Sequence, residues 1–221
     1  AREALNLLAA EGHIVIGSLD AAETLLAQPA WIDAELASRA AYLASEILVY
    51  RGEYDAAATS YTEAARSNPV AEAANDALDR LALLRDNPGA HRTSLAAYLS
   101  AVAADRRGDT TLARAVCQDV IESRTSAPVL QDIRLLAADL DARVGAIGSA
   151  VRLCADVAAS DTNLAPSALL RLGELYRSLG QRAAAIDAYE QLLTRPGHTA
   201  LVAEARRHLR ELTQEGMEAP K

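Results

Sequence analysis

Five times along the chain a glycine is followed five residues later by an alanine. The pairs are Gly17/Ala22, Gly52/Ala57, Gly108/Ala113, Gly145/Ala150 and Gly180/Ala185. Successive glycines are separated by 35, 56, 37 and 35 residues. A period near 34 residues is the length of one helix–turn–helix hairpin, so three spacings are one hairpin each and the fourth leaves about 22 residues over, room for one more helix and a loop. Other positions keep the same register. Seven residues before each glycine stands a small residue, Ala10, Ser45, Ala101, Ala138 or Gly173. Nine residues after it stands Leu26, Tyr61, Cys117, Cys154 or Tyr189. The physical reading is direct. The glycine ends a helix where a left-handed residue is required, and the alanine and the residue four further on share one face of the next helix. Small residues at the crossing let the two helices of a hairpin touch, and the large residue fills the gap between hairpins.

Composition supports helices packed at short range. Of 221 residues 50 are Ala, none is Phe and one is Trp. Ala is the best helix former because its side chain loses no entropy in a helix, whereas a β protein would draw on β-branched and aromatic residues. Twelve helices are predicted, over 2–16, 19–28, 31–51, 53–67, 70–86, 92–107, 110–124, 128–143, 146–159, 165–179, 181–194 and 198–214. Pro69, Pro88, Pro128, Pro166 and Pro196 fall at gaps or first turns, where proline is tolerated. Thr93 or Ser94, Ser126 and Asn163 are the expected N-caps. No Gly/Ser linker divides the chain, which predicts one continuous domain over 1–221.

Two helices stand apart. The segment 70–86 fills the excess between the second and third full copies, with Ala74, Leu78, Leu81 and Leu84 at helical spacing. An unpaired helix breaks the stacking register, so a change of superhelical direction or a bulge on one face is expected there. The last helix, 198–214, carries an apolar stripe of Leu201, Ala205, Leu209 and Leu212, with Arg206, Arg207 and Arg210 turned away. It reads as the polar-faced cap that a repeat array needs, with a frayed tail after Thr213.

The segment Pro166–Pro196 resembles a tetratricopeptide repeat (TPR): Leu172-Gly173, Tyr176, Gly180, Ala185 and Tyr189 fall where that family places Leu-Gly, Tyr, Gly, Ala and an aromatic. Ser38–Pro69 is similar through Ser45, Leu48, Gly52, Tyr54, Ala57, Tyr61, Ala64 and Pro69. The copies near 94–127 and 131–164 are degenerate, and the one near 3–36 is weakest, with Pro29 in place of a small residue. The resemblance implies an all-α, right-handed α-solenoid of about five hairpins, at 3–36, 38–71, 94–127, 131–164 and 166–199, plus the extra helix and the cap. It also implies a protein–protein scaffold rather than an enzyme. If the first helix of each repeat lines a concave groove, as in that family, the inward positions are Arg39, Tyr42, Glu46, Val49 and Tyr50, then Tyr98, Val102, Asp105 and Arg106. Leu135, Asp139 and Arg143 follow, then Leu170, Glu174 and Arg177. Tyr and Arg are enriched at binding hot spots, although Tyr42 and Tyr98 could equally pack on neighbouring repeats. A TPR subclass that clamps chaperone C-termini uses Lys and Asn where this sequence has Tyr, Glu and Val, so no such clamp is expected. The C-terminal segment resembles bacterial TPR proteins of the cell envelope, which implies a periplasmic or envelope-associated adaptor. A homo-oligomer formed through the convex face or a terminal repeat is the alternative.

The chemistry-bearing residues predict no catalytic, cofactor or metal site. His13, His91, His198 and His208 include no pair three to five residues apart, the spacing that grips a metal on a helix. His13 is expected to pack, and His91 and His198 to lie in loops beside Gly89 and Gly197. The one Lys, Lys221, leaves 21 Arg as the other cations, so Schiff-base chemistry is excluded over 1–220. Phosphate-cradle and nucleophile-elbow motifs are missing. Cys117 and Cys154 share a repeat position and are expected as core side chains, since helices 8–10 Å apart hold Cα atoms too far for a disulfide. Carboxylate pairs such as Asp132/Asp139 and Asp139/Asp141 read as a solvated face. A net charge of −8 opposes nucleic-acid binding despite the cluster at 205–211. No run of about 18 apolar residues spans a membrane. The chain opens on Ala1 without Met, which points to a trimmed or processed protein and leaves targeting open.

Overall fold

The computed structural model describes residues 2–27, 31–195 and 199–218, with the backbone alone at Thr199 and 215–218. Pro29, Pro196, His198 and Lys221 lie outside the described residues. The regular structure described is twelve α-helices and one 3₁₀ turn, Gly89–His91. Two compact units divide it: Ala1–Leu112 with Ser126–Val129, and Ala113–Thr125 with Leu130–Lys221.

The first unit contains α1 (Arg2–Val15), α2 (Leu19–Leu26), α3 (Ala34–Tyr50), α4 (Tyr54–Ser67), α5 (Glu72–Asp86) and α6 (Arg92–Arg106). The unit boundary falls in the first turn of α7 (Thr110–Glu122). The second unit continues with α8 (Leu130–Arg143), α9 (Ile147–Ala158), α10 (Ala165–Ser178), α11 (Arg182–Thr194) and α12 (Thr199–Glu218).

The repeat register is the register of burial. All five repeat glycines adopt left-handed φ, between 69° and 81°. Each closes its helix with the same two bonds: the Gly52 N–H donates to the Val49 carbonyl and the Glu53 N–H to the Leu48 carbonyl, both at 2.9 Å, and the other four repeat this pattern. That is the Schellman closure, which satisfies carbonyls left open at the end of the helix. Ala22, Ala57, Ala113, Ala150 and Ala185 are all fully buried. Leu26, Tyr61, Cys117, Cys154 and Tyr189, four residues further on, are buried as well. The hairpins α1/α2, α3/α4, α8/α9 and α10/α11 pack pairwise.

Two side chains show how the small and large positions interlock. Tyr61 on α4 hydrogen-bonds Glu46 of α3 and lies 5.9 Å, ring to ring, from Tyr42 of α3. Tyr189 on α11 faces Gly173 of α10 and stacks on His208 of α12 at 5.2 Å. The large residue thus wedges between the first helix of its own hairpin and, for Tyr189, the helix that follows. In the second unit this wedge belongs to one apolar cluster running from Leu135 through Cys154, Leu169 and Leu192 to Leu212.

The extra helix is integrated where an unpaired one was expected: α5 packs on both α3 and α4. Its C-terminal end is held by Asn87, which is fully buried. The Asn87 amide donates to the Leu83 carbonyl at 2.9 Å and accepts the Val129 N–H at 3.0 Å. That bond ties Ser126–Val129 to the first unit.

Four local expectations are corrected, three N-caps and the end of the last helix. Thr93 and Ser94 lie inside α6, because the 3₁₀ turn feeds straight into the helix and starts it at Arg92. Ser126 precedes α8 by four residues, and α10 is entered from Leu164 without a side-chain cap, leaving Asn163 outside. Two caps among the described residues are acidic. Asp33 accepts from the Glu35 and Leu36 N–H groups at 2.9 and 3.0 Å, and Asp109 accepts from Leu112 at 3.0 Å. The last helix does not fray at Thr213; its backbone stays helical to Glu218. Its stripe packs as expected, with Ala205 and Leu212 buried, Leu201 and Leu209 against the cluster, and Arg206, Arg207 and Arg210 exposed.

Candidate partner-binding faces

In the first unit, the predicted inward residues of α3 meet α1, α4 and α5. Arg39 is half-exposed and bridges three helices: its guanidinium lies 3.0 Å from Glu11 of α1 and 3.0 Å from Asp76 of α5. It also covers the Tyr42 ring at 5.0 Å. Burial works against its charge, but the Glu11 hydrogen bond and the charges of Glu11, Tyr42 and Asp76 together outweigh this and its pKa is raised. A cation over an aromatic face and between two carboxylates is held in one orientation.

Beneath Arg39 the polarity turns inward. Glu46 is 2% exposed, and its carboxylate meets the Arg80 guanidinium of α5 at 3.0 Å and the Tyr61 hydroxyl. Desolvation opposes the Arg80 charge, but Glu46, Tyr42 and Tyr61 together outweigh it and its pKa is raised. Burial first, then the Glu46 charge, pushes the Tyr61 phenol well up. Tyr42, at 7% exposed, and Val49 are buried beside them. Glu46 and Tyr42 are therefore placed inside the unit, because α5 covers the face of α3 that carries them. Tyr50 is half-buried and accepts a hydrogen bond from the exposed Arg106 of α6 at 3.3 Å. Tyr98, Val102 and Asp105 are half-buried on α6.

In the second unit, Leu135 and Leu170 are buried. Asp139 of α8 pairs with Arg171 of α10 at 3.0 Å. These two line a cleft of about 290 Å³ with Ala138, Cys154, Glu174 and Leu175. Arg143 is exposed at the end of α8. Glu174 is exposed on α10, one turn before Arg177, which pairs with Glu211 of α12 at 2.7 Å. A further pair joins the half-exposed Arg114 guanidinium of α7 to the buried Asp141 of α8 at 2.7 Å.

Sequence reasoning passed over two groupings. Arg80 and Asp76 lie on the extra helix, where spacing assigned no partner. Glu174, Glu204 and His208 converge, with one potential ligand atom from each lying within 4.8 Å of the others. Glu204 and His208 stand one helical turn apart, which was legible as a mixed carboxylate–histidine pair; Glu174, thirty residues earlier, carried no such signal. His13 packs in the last turn of α1 with its Nδ1 buried and making no hydrogen bond. Cys117 and Cys154 are free and buried, and burial pushes the Cys154 thiol up to about 12. Among the described residues no helix is long and apolar enough to cross a membrane.

Residues 167–198 match the tetratricopeptide repeat family model. No curated protein sequence matches the chain. Among solved structures, the TPR domain of P58(IPK) aligns at TM-score 0.46 and 17% identity, over 98% of this chain and 57% of that one. The APC/C hetero-tetramer Cut9–Hcn1 aligns at TM-score 0.47 and 15% identity, over 95% of this chain and 42% of that one. The chain thus spans about half the length of the structures it matches.

Proposed function

Because residues 167–198 match the tetratricopeptide repeat model and the same register recurs along the chain, we propose that the chain is a repeat array of this kind and a non-catalytic scaffold that binds a partner peptide or helix along the first helices of its repeats. The supporting observation is the set of exposed and half-buried charged and tyrosyl side chains on those helices within each unit. In the first unit these are Arg39, Tyr50, Tyr98 and Arg106; in the second, Arg143, Glu174 and Arg177. Arg39 is already oriented by Glu11, Asp76 and the Tyr42 ring, so little entropy is lost when a partner engages it. Tyr42 and Glu46 act from beneath as supports. The bacterial, envelope-associated setting rests on the likeness of the C-terminal segment alone.

Arg106→Ala and Arg143→Ala test the reading, because both residues are exposed and their loss leaves the core intact. Capture of a defined partner that is lost in these variants, with unchanged circular dichroism, supports the groove. Undiminished capture refutes it. A single continuous array is part of the proposal, and one calorimetric unfolding transition is its expected signature.

One observation favours a second reading, self-association through the first repeat. Leu5 and Leu8 of α1 are 65% and 67% exposed, and Ile16, two turns on, is exposed as well. A terminal repeat normally shows a polar outer face. Light scattering separates the readings: a monomer at every concentration counts against self-association.

A further inference from the structure

We propose that Glu174, Glu204 and His208 form a binding site for one divalent transition-metal ion of the zinc class, which fastens α12 to α10. The site goes beyond the scaffold reading and does not depend on it.

The geometry begins with α12. Glu204 and His208 are four residues apart, so both project from one face of the helix. That face meets α10, which supplies Glu174. The His208 Nε2 lies 3.8 Å from a Glu174 carboxylate oxygen and 4.0 Å from one of Glu204. These distances are too long for hydrogen bonds, and Nε2 is buried with no hydrogen-bond partner. Ligand atoms about 2.0–2.2 Å from a tetrahedral ion stand roughly 3.3–3.6 Å apart. Each glutamate needs to close on His208 by only about half an ångström to reach that spacing, a change within the rotamer freedom of a glutamate, and the ligand atoms all start within 4.8 Å of one another.

The surroundings suit a metal-bound imidazole. His208 Nδ1 lies 3.4 Å from Glu211 Oε2 and 3.2 Å from Arg177 Nη1, and Arg177 holds Glu211 at 2.7 Å. With Nε2 on the metal, Nδ1 carries the proton and donates to Glu211, and Arg177, which can only donate, gives up its contact with Nδ1 and keeps its bond to Glu211. A carboxylate behind the ligating histidine is the usual support for such a ring. The ring is further fixed by stacking on Tyr189 at 5.2 Å. Burial, with a smaller push from the Glu204 charge, raises the Glu174 pKa against the pull of His208. Two carboxylates and a neutral imidazole balance a 2+ charge. One nitrogen and two oxygens favour zinc, cobalt or nickel over magnesium and calcium, which prefer oxygen alone. Water completes the coordination.

The test is titration calorimetry of the untagged full chain with zinc chloride, after chelator treatment. The expected result is uptake of one ion per chain and a rise in Tm. Cobalt in place of zinc should show visible d–d bands without a thiolate charge-transfer band, since both cysteines are buried elsewhere. His208→Gln and Glu204→Gln should abolish uptake, and Glu211→Gln should weaken it by about tenfold. Glu204→Gln leaves the Tyr189–His208 stack in place, so its result stands even if His208→Gln unfolds. Failure to take up zinc, or uptake unchanged in Glu204→Gln, overturns the site.

Discussion

Gly173 of α10 stands directly under the ring of Tyr189 on α11: a Cβ at this position would lie 2.4 Å from Cε1 and 2.6 Å from Cζ of that ring. The obstacle is the body of a fully buried aromatic side chain, itself stacked on His208. It cannot swing aside as a flexible tip would. Gly173→Ala gains about 1 kcal/mol of helix propensity and loses more to overpacking, which costs about 1–3 kcal/mol. Urea unfolding should show net destabilisation. Combining it with Tyr189→Leu should cost less than the sum of the two single changes, as expected for residues in contact.

Glu46 and Arg80 form a buried pair 34 residues apart in sequence. Arg80→Met leaves the carboxylate buried with the Tyr61 hydroxyl as its remaining direct partner and should cost about 3–5 kcal/mol. Adding Glu46→Gln removes the stranded charge and should recover much of that loss. Equal instability of the single and double variants in urea would count against the pair.

Two glycines of one hairpin predict opposite signs for the same substitution. Gly145 has φ +81° and open space around its Cβ position, so Gly145→Ala carries only the left-handed backbone cost, about 1–2 kcal/mol. Gly148, inside α9, also has open space but no positive φ. Gly148→Ala should stabilise by about 0.4–1 kcal/mol. Thermal melts of the pair check the contrast.

Glu174 and Glu211 predict opposite pH trends in metal-free protein. The folded state raises the Glu174 pKa above 4.5 through burial, so its contribution is greatest at low pH and falls as the pH rises through the folded pKa. Glu174→Gln should therefore raise stability at neutral pH, by less than about 1 kcal/mol at this solvent-screened position. The Arg177 hydrogen bond lowers the Glu211 pKa. Its contribution is present above 4.5 and lost as the pH falls through the lowered value. Glu211→Gln should lower Tm at neutral pH, with the difference from wild type vanishing in acid. Melts across pH in the presence of a chelator separate the two.

Cys117 and Cys154 are buried, and burial raises the Cys154 thiol to about 12. The thiolate is the nucleophile, so neither should react with iodoacetamide in the native state. Both should alkylate at once in denaturant, as mass spectrometry would show. Fast native labelling at Cys154 would place it in an opening segment.

The hairpins were legible because their determinants are local. A glycine with left-handed φ, an alanine five residues on and a large residue four beyond that all act within one helical turn or across one loop. The alanine and the residue four beyond it are buried in every copy, while the glycine stays exposed at the turn. The twelve helices follow the predicted spans for the same reason. The caps were less legible, because a 3₁₀ turn or an acidic side chain can start a helix as well as Ser or Asn.

What the sequence by itself determined, then, is the repeat: its period, its helix pairs and the small-to-large interlock that builds the core. Only the tertiary structure decided what the first helices present. The packing of α5 on α3 turned Glu46 and Tyr42 inward, and α12 brought His208 to Glu174. These contacts join residues about thirty or more positions apart, and no periodicity encodes them. The repeat fixes which face a residue occupies, but whether that face meets solvent or another helix depends on what packs against it.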